Sequence, residues 1–353
     1  DFADVVMNGM LAFLLFAGSL HVDLAKLRSR AAAVGVLAVF GTLASTLIVG
    51  GAIWQAAQYI GHPLPLLWAL VFGALISPTD PVAVMGTLKN VDVPASLEVE
   101  MQGESLFNDG VGIVVYTVLL MFATGVGAER TTTSAIAELL LLETGGSLVL
   151  GVVTGYVAYR AMRAIDDYPV EVLITLALVM ATYALAQRLH MSGPLAVVAA
   201  GLLIGHRAPQ DAMSERTQSY VFSLWTLIDE ILNSVLFLLI GLEVLLLDFD
   251  SGALLLAAVA IPVVLVARFT VVGTPALLGG ASGLLSIRNV PFLTWAGVRG
   301  GISVALALSL PDTPAKSSIL VATYAVVLFS IVVQGSTLAF VAKRTLKTHA
   351  QEG

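Results

Sequence analysis

Cysteine is absent from the 353 residues, so disulfides, thiolate metal sites and cysteine nucleophiles are excluded, and the redox compartment is unreadable. Charge is nearly as scarce. Asp, Glu, Lys and Arg make up 12% of the chain, against roughly 25% in an ordinary soluble domain. The net charge of -7 offers no basic face to nucleic acid. No nucleotide-binding motif occurs, and "GVRGGIS" lacks phosphate-loop spacing, so ATP is not expected to drive this protein. His21, His62, His190, His206 and His349 stand near segment ends at no metal-ligand spacing, and no cofactor is expected. The chain opens on "DFADVVMNGM", with neither an initiator Met nor a basic stretch before an apolar run. A fragment whose natural N-terminus is missing is the expectation.

What is abundant is hydrocarbon. Hydrophobic residues form 58% of the chain, and the mean hydropathy is +0.94. They come as runs near the ~20 residues that a helix needs to cross a bilayer, not as strand alternation. The fold class expected is an all-α polytopic membrane protein. Runs at 5–24, 31–53, 65–88, 97–124, 134–161, 168–188, 193–206, 219–247, 251–272, 287–310 and 316–343 read as about eleven segments. The run at 193–206 is short enough to be tilted or partly re-entrant. Lys and Arg crowd alternate connections, beginning with Lys26, Arg28 and Arg30 and ending with the C-terminal Lys343, Arg344 and Lys347. By the positive-inside rule these connections and the C-terminus are cytoplasmic.

Two segments carry breaks. In 65–88, Pro78 and Pro81 of "SPTDP" lack an N–H and clash with the preceding turn, so the helix must open around Thr79 and Asp80. In 287–310, Gly297, Gly300 and Gly301 flank Arg299. Each broken segment precedes a long unbroken one. That layout is the pattern of inverted repeats whose discontinuous helices cross near the midplane.

Ionisable residues at bilayer depth default to a functional reading. In "GESLFNDG", Ser105 and Asp109 are four apart and share a helix face, with Glu104 and Asn108 on the adjacent one. Asp80 and Thr79 add a carboxylate, a hydroxyl and freed carbonyls. Such hard oxygen ligands suit a small alkali cation better than a transition metal. A structural duty for Asp80, offsetting the dipoles of opposed half-helices, is the competing reading. Glu104 with Arg268 reads as a buried structural pair. Asp229 and Glu230 read as a solvated helix start, with a cytoplasmic funnel as the alternative.

The motifs "SPTDPVAV", "GESLFNDG", "FLLIGLE" and "GVRGGISVALAL", in this order along the chain, closely resemble the monovalent cation/proton antiporters. The match is to the NhaP-type branch, which is similar to the sodium/proton exchangers. The resemblance implies about thirteen transmembrane helices, of which the fragment carries the last eleven, and an inverted-repeat fold with two discontinuous crossing helices. It also implies a homodimer in a prokaryotic inner membrane, and a single transporter domain over 1–353. By motif position, Asp109 is the carboxylate that binds cation or proton, and Asn108, Ser105, Thr79 and Asp80 line or support the site. Na⁺ is expected at Asp109, Asp80, Thr79 and Ser105. Glu104 pairs with Arg268, and Arg299 stabilises the helix crossing. Position 102 is Gln where several microbial relatives have an acid, so Arg299 is expected to take another partner, such as a backbone carbonyl.

The function expected is secondary antiport of Na⁺ or Li⁺ against H⁺ by alternating access, electroneutral by resemblance, with K⁺/H⁺ antiport as the alternative. No enzyme activity is expected. A cation channel and an intramembrane aspartyl protease are the remote readings. The first needs a continuous pore, and the second a shared-proton dyad in motifs that "TDP" and "NDG" do not match.

Overall fold

The computed structural model describes residues 9–80, 84, 86, 88, 91, 93–125, 141–189, 191–244, 251–278 and 285–346, and every long element among them is helical. They form two compact units. Unit 1 lies within Asp1–Arg28 and Gly127–Leu238, and unit 2 within Ser29–Val126 and Leu239–Gly353.

Unit 1 begins with α1 (Leu11–Leu20) and the short α2 (Leu24–Ser29) that leads out of it. α6 (Ser147–Arg163), α7 (Tyr168–Arg188), α8 (Gly193–Asp211) and most of α9 (Glu215–Val244) complete it. Its core gathers Phe16, Leu20, Met162, Ile204, Val221 and Trp225. α8 runs as one helix to Asp211, which corrects the expectation of a short or re-entrant run. Ser192 caps it and Pro194 opens its first turn, while Pro209 is tolerated near the other end. α9 begins at Glu215, where Ser214 Oγ accepts the Thr217 N–H. Asp229 and Glu230 therefore lie well inside a helix rather than at its solvated start, a second correction.

Unit 2 holds α3 (Ala31–Ile60), α4 (Leu66–Ile76), α5 (Ala95–Thr124) and α10 (Ser251–Leu278). It also holds α11 (Val290–Trp295), α12 (Gly301–Leu308) and α13 (Pro314–Leu346). α3 ends at Gly61, whose φ of 75° turns the chain left-handed, and the His62 N–H bonds back to Ala57 O at 3.1 Å. α3 and α4 touch backbone to backbone. A Cβ on Gly73 would strike Thr46 O and lie 3.0 Å from the Gly50 nitrogen, the close approach that small residues permit between membrane helices.

α4 stops at Ile76, before Pro78, and the chain is non-helical from Ser77 to Asp80. Helical geometry returns at Val84, Gly86 and Leu88, while Pro81 to Ala83 lie outside the described residues. The second break separates α11 from α12 across Ala296–Gly300.

Six of the described helices are long and apolar enough to span a membrane. No more than 50% of the most apolar stretch of any of them is buried inside the protein. Side chains such as Leu173, Met180, Leu238, Val266 and Phe269 therefore face outward, an arrangement that lipid accommodates and water penalises.

Candidate ion-binding site

Asp109 falls at the middle of α5, and its surroundings are built from the opened segment after α4. Thr79 is clasped by α5 from three directions. Ser105 Oγ donates to Thr79 O, Asn108 Nδ2 donates to Thr79 Oγ1 at 3.0 Å, and the Thr79 N–H approaches Asn108 Oδ1 at 3.4 Å. One helical face thus reads the backbone and side chain of a residue that has no helix of its own. Ser105, Asn108, Thr79 and Asp109 are all buried.

Asp80 is positioned by the other break. Its N–H donates to Val298 O at 2.8 Å, and its side chain lies against Gly300, where an added Cβ would sit 2.6 Å from Asp80 Cβ and 2.7 Å from its Cγ. The two broken segments therefore meet at Asp80. Asp80 directly follows Thr79, the residue that Ser105 and Asn108 hold against the helix carrying Asp109.

The carboxylate of Asp109 makes no hydrogen bond or ion pair among the described residues. A buried carboxylate of this kind is costly when bare and is satisfied by a proton or a cation. The opened segment and α5 together offer the Asp80 carboxylate, the Thr79 and Ser105 hydroxyls and the Thr79 carbonyl, the last accepting from Ser105. No group of three or more His, Asp or Glu at metal-binding distance occurs among the described residues.

The cationic side chains stand off this centre. Arg268 reaches Glu104 with both terminal nitrogens, Nη2 donating to Oε2 at 2.9 Å, and Arg268 Nε donates to Leu293 O at 3.3 Å. The fork-on-carboxylate geometry leaves neither charge unpaired. Arg268 also crosses Gly297 so closely that a Cβ there would lie 2.7 Å from its Nε. Arg299 is buried, and its Nη1 donates to the carbonyls of Ser77 and Pro78. These are carbonyls that α4 leaves without helical partners on ending.

Three participants escaped the sequence reading. Tyr116 on α5 donates to Leu306 O at 2.9 Å, closing the carbonyl end of α12. Glu100, one turn before Glu104, is buried and pairs with Arg30 at 3.2 Å. Gln334 on α13 donates to Trp295 O at 3.0 Å. Glu100 stands among Glu98, Gln102 and Glu104, whereas Tyr116 and Gln334 are polar groups within apolar runs, the signal that singled out Asp109. Its weakness is that such a group is more often a local hydrogen-bonder.

Comparison with known proteins agrees with this arrangement. The family model for "Sodium/hydrogen exchanger, transmembrane" matches residues 1–344. The Na⁺/H⁺ antiporter NhaP of Pseudomonas aeruginosa is 47% identical over 350 residues, covering 98% of this chain and 82% of that protein. The Na⁺/H⁺ antiporter NhaH of Halobacillus aidingensis is 35% identical, covering 97% and 83%. The structure of the sodium proton antiporter MjNhaP1 from Methanocaldococcus jannaschii superposes with a TM-score of 0.77 at 21% identity, covering 98% of this chain and 88% of that one. At that identity the likeness concerns the fold alone.

Proposed function

We propose that this chain, which belongs to the sodium/hydrogen exchanger family, exchanges Na⁺ for H⁺ through competition at Asp109. It is a multi-pass membrane protein and a secondary transporter, and relatives named as Na⁺/H⁺ antiporters favour Na⁺ over K⁺ as the cargo. The observation that carries the mechanism is the buried carboxylate of Asp109, which has no hydrogen-bond or ion-pair partner among the described residues, beside an opened backbone segment.

Na⁺ would take oxygens from Asp109, Asp80, Thr79 and Ser105, with Asn108 holding Thr79 in place. A proton on Asp109 neutralises the same charge, so either cargo lets the loaded protein change its access, while the bare carboxylate opposes that change. On one side Asp109 takes a proton from water as Na⁺ leaves, and on the other it gives that proton to water as Na⁺ binds. The gradient of one ion then drives the other without a further energy source. Unit 2, which contains both breaks, is the ion-translocating core of one transporter domain. The finer reading keeps about eleven crossings with an inverted repeat, a cytoplasmic C-terminus, a homodimer and the plasma membrane of a prokaryote.

Gly300 tests how tightly this site is built. Its φ of -124° suits any residue, so space and not backbone strain demands glycine. The clash of a new Cβ involves Asp80 Cβ as well as the carboxylate, and rotation of the side chain does not relieve it. Gly300→Ala is expected to reduce exchange strongly and raise the KM for Na⁺, with the protein still folded. Wild-type kinetics in that variant would separate Asp80 from the site.

Proteoliposomes with an imposed pH gradient and a lumenal pH dye test the function itself. NaCl or LiCl is expected to dissipate the gradient and choline chloride to leave it. A response unchanged when valinomycin and potassium clamp the voltage identifies electroneutral exchange. A response to KCl alone would move the cargo to K⁺, and silence with every cation would refute antiport.

A further inference from the structure

A half-helix that stops within a membrane leaves its last carbonyls with neither helical partners nor water. α11 stops at Trp295 in this way, and donors from two other helices meet its end. Arg268 Nε reaches Leu293 O, and Gln334 Nε2 reaches Trp295 O. Arg268 is already committed to Glu104. Gln334 is a buried neutral amide that the exchange mechanism leaves unused.

Local structure explains why the amide faces as it does. α13 widens into a π-helical turn over Ser330–Gly335, and such turns inside α-helices frequently mark functional positions. Within the turn Ser330 Oγ donates to Gln334 Oε1 at 2.7 Å. That bond occupies the oxygen side of the amide and aims its NH₂ at Trp295 O. Three residues along α13, Thr337 Oγ1 accepts from Trp295 Nε1 at 2.9 Å. The last residue of α11 is thus held by its backbone and by its ring.

From Trp295 the chain passes through Ala296 and Gly297 to Val298, whose carbonyl accepts the Asp80 N–H. The next residue, Arg299, takes the carbonyls of Ser77 and Pro78. A displacement at Trp295 is therefore transmitted to both sides of Thr79. Building on the exchange proposed at Asp109 and Asp80, we infer that Gln334 is a positioning residue for cation binding. Its amide sets where the second broken segment stops and, through Val298 O, where Asp80 stands.

Two variants of the full protein test this. Gln334→Met keeps the length of the side chain and removes its donor and acceptor, whereas Ser330→Ala leaves the amide and frees its orientation. Both are reconstituted for Na⁺-dependent exchange, and amide hydrogen exchange is followed by mass spectrometry across Thr79 and Asp80. Gln334→Met is expected to raise the KM for Na⁺ about fivefold or more, the scale of one buried hydrogen bond. Ser330→Ala shifts KM in the same direction by less, and both variants lose protection at Asp80. A purely structural role would lower yield and thermal midpoint while leaving KM and Asp80 protection untouched, and that result overturns the inference. Should Gln334→Met not fold, Ser330→Ala decides alone on the same two readouts. Failure of the wild type to exchange Na⁺ would instead refute the exchange reading, and Asp80 protection would still decide the positioning role.

Discussion

Asp109→Asn abolishes Na⁺/H⁺ exchange, leaving the rate of protein-free liposomes, while the protein elutes and melts as a folded species. The substitution keeps the volume of the side chain and one carbonyl oxygen but removes the charge and the exchangeable proton. A neutral amide costs less to bury than a carboxylate that makes no hydrogen bond or ion pair among the described residues. The variant is therefore expected to be at least as stable as the wild type, so loss of transport is not loss of fold. Measurable exchange in Asp109→Asn would remove this residue from the mechanism and direct attention to Asp80.

Arg268→Met produces the largest loss of stability. It strands Glu104 inside unit 2 without the guanidinium that meets both of its oxygens, and breaking a buried pair from one side costs about 3–5 kcal/mol. It also withdraws the donor from Leu293 O. Thermal unfolding in detergent is expected to show a large drop for Arg268→Met. Most of the drop is recovered in the double variant Glu104→Met, Arg268→Met, in which neither charge remains to be paired. Recovery falls short by about 1 kcal/mol, the worth of the hydrogen bond to Leu293 O. A double variant no more stable than the single one would show that the stranded charge of Glu104 is not the source of the loss. Glu104 and Asp109 are both buried acids on α5, but among the described residues only Glu104 has an ion-pair partner.

The sequence exposes these features unequally, for physical reasons. The first break was legible because Pro78 in an apolar run has no helical alternative, and the structure stops α4 just before it. The extent of α8 was not, because Pro209 in a last turn looks like a terminator and is in fact tolerated. Asp229 was misplaced for a related reason. The first polar turns of α9 read as a loop until Ser214 is seen capping the helix. Asp109, Ser105 and Asn108 shared adjoining faces by spacing alone, but no spacing could say that Ser105 and Asn108 hold Thr79. Contacts between segments far apart in sequence, such as Asp80 with Val298 or Gln334 with Trp295, arise from how the breaks cross. They leave no periodic trace, which is why Gln334 and Tyr116 passed as ordinary polar residues.

Exchange through Asp109 requires one carboxylate to take either Na⁺ or H⁺ and never both. The most direct test is the KM for Na⁺ of the wild-type protein in proteoliposomes, measured as a function of pH with voltage clamped. Mutually exclusive binding predicts that KM rises as pH falls, approaching about tenfold per pH unit in the acid limit, with the maximal rate per carrier unchanged at saturating Na⁺. A KM independent of pH, with protons altering only the maximal rate, would place the two ions at separate sites and contradict the account.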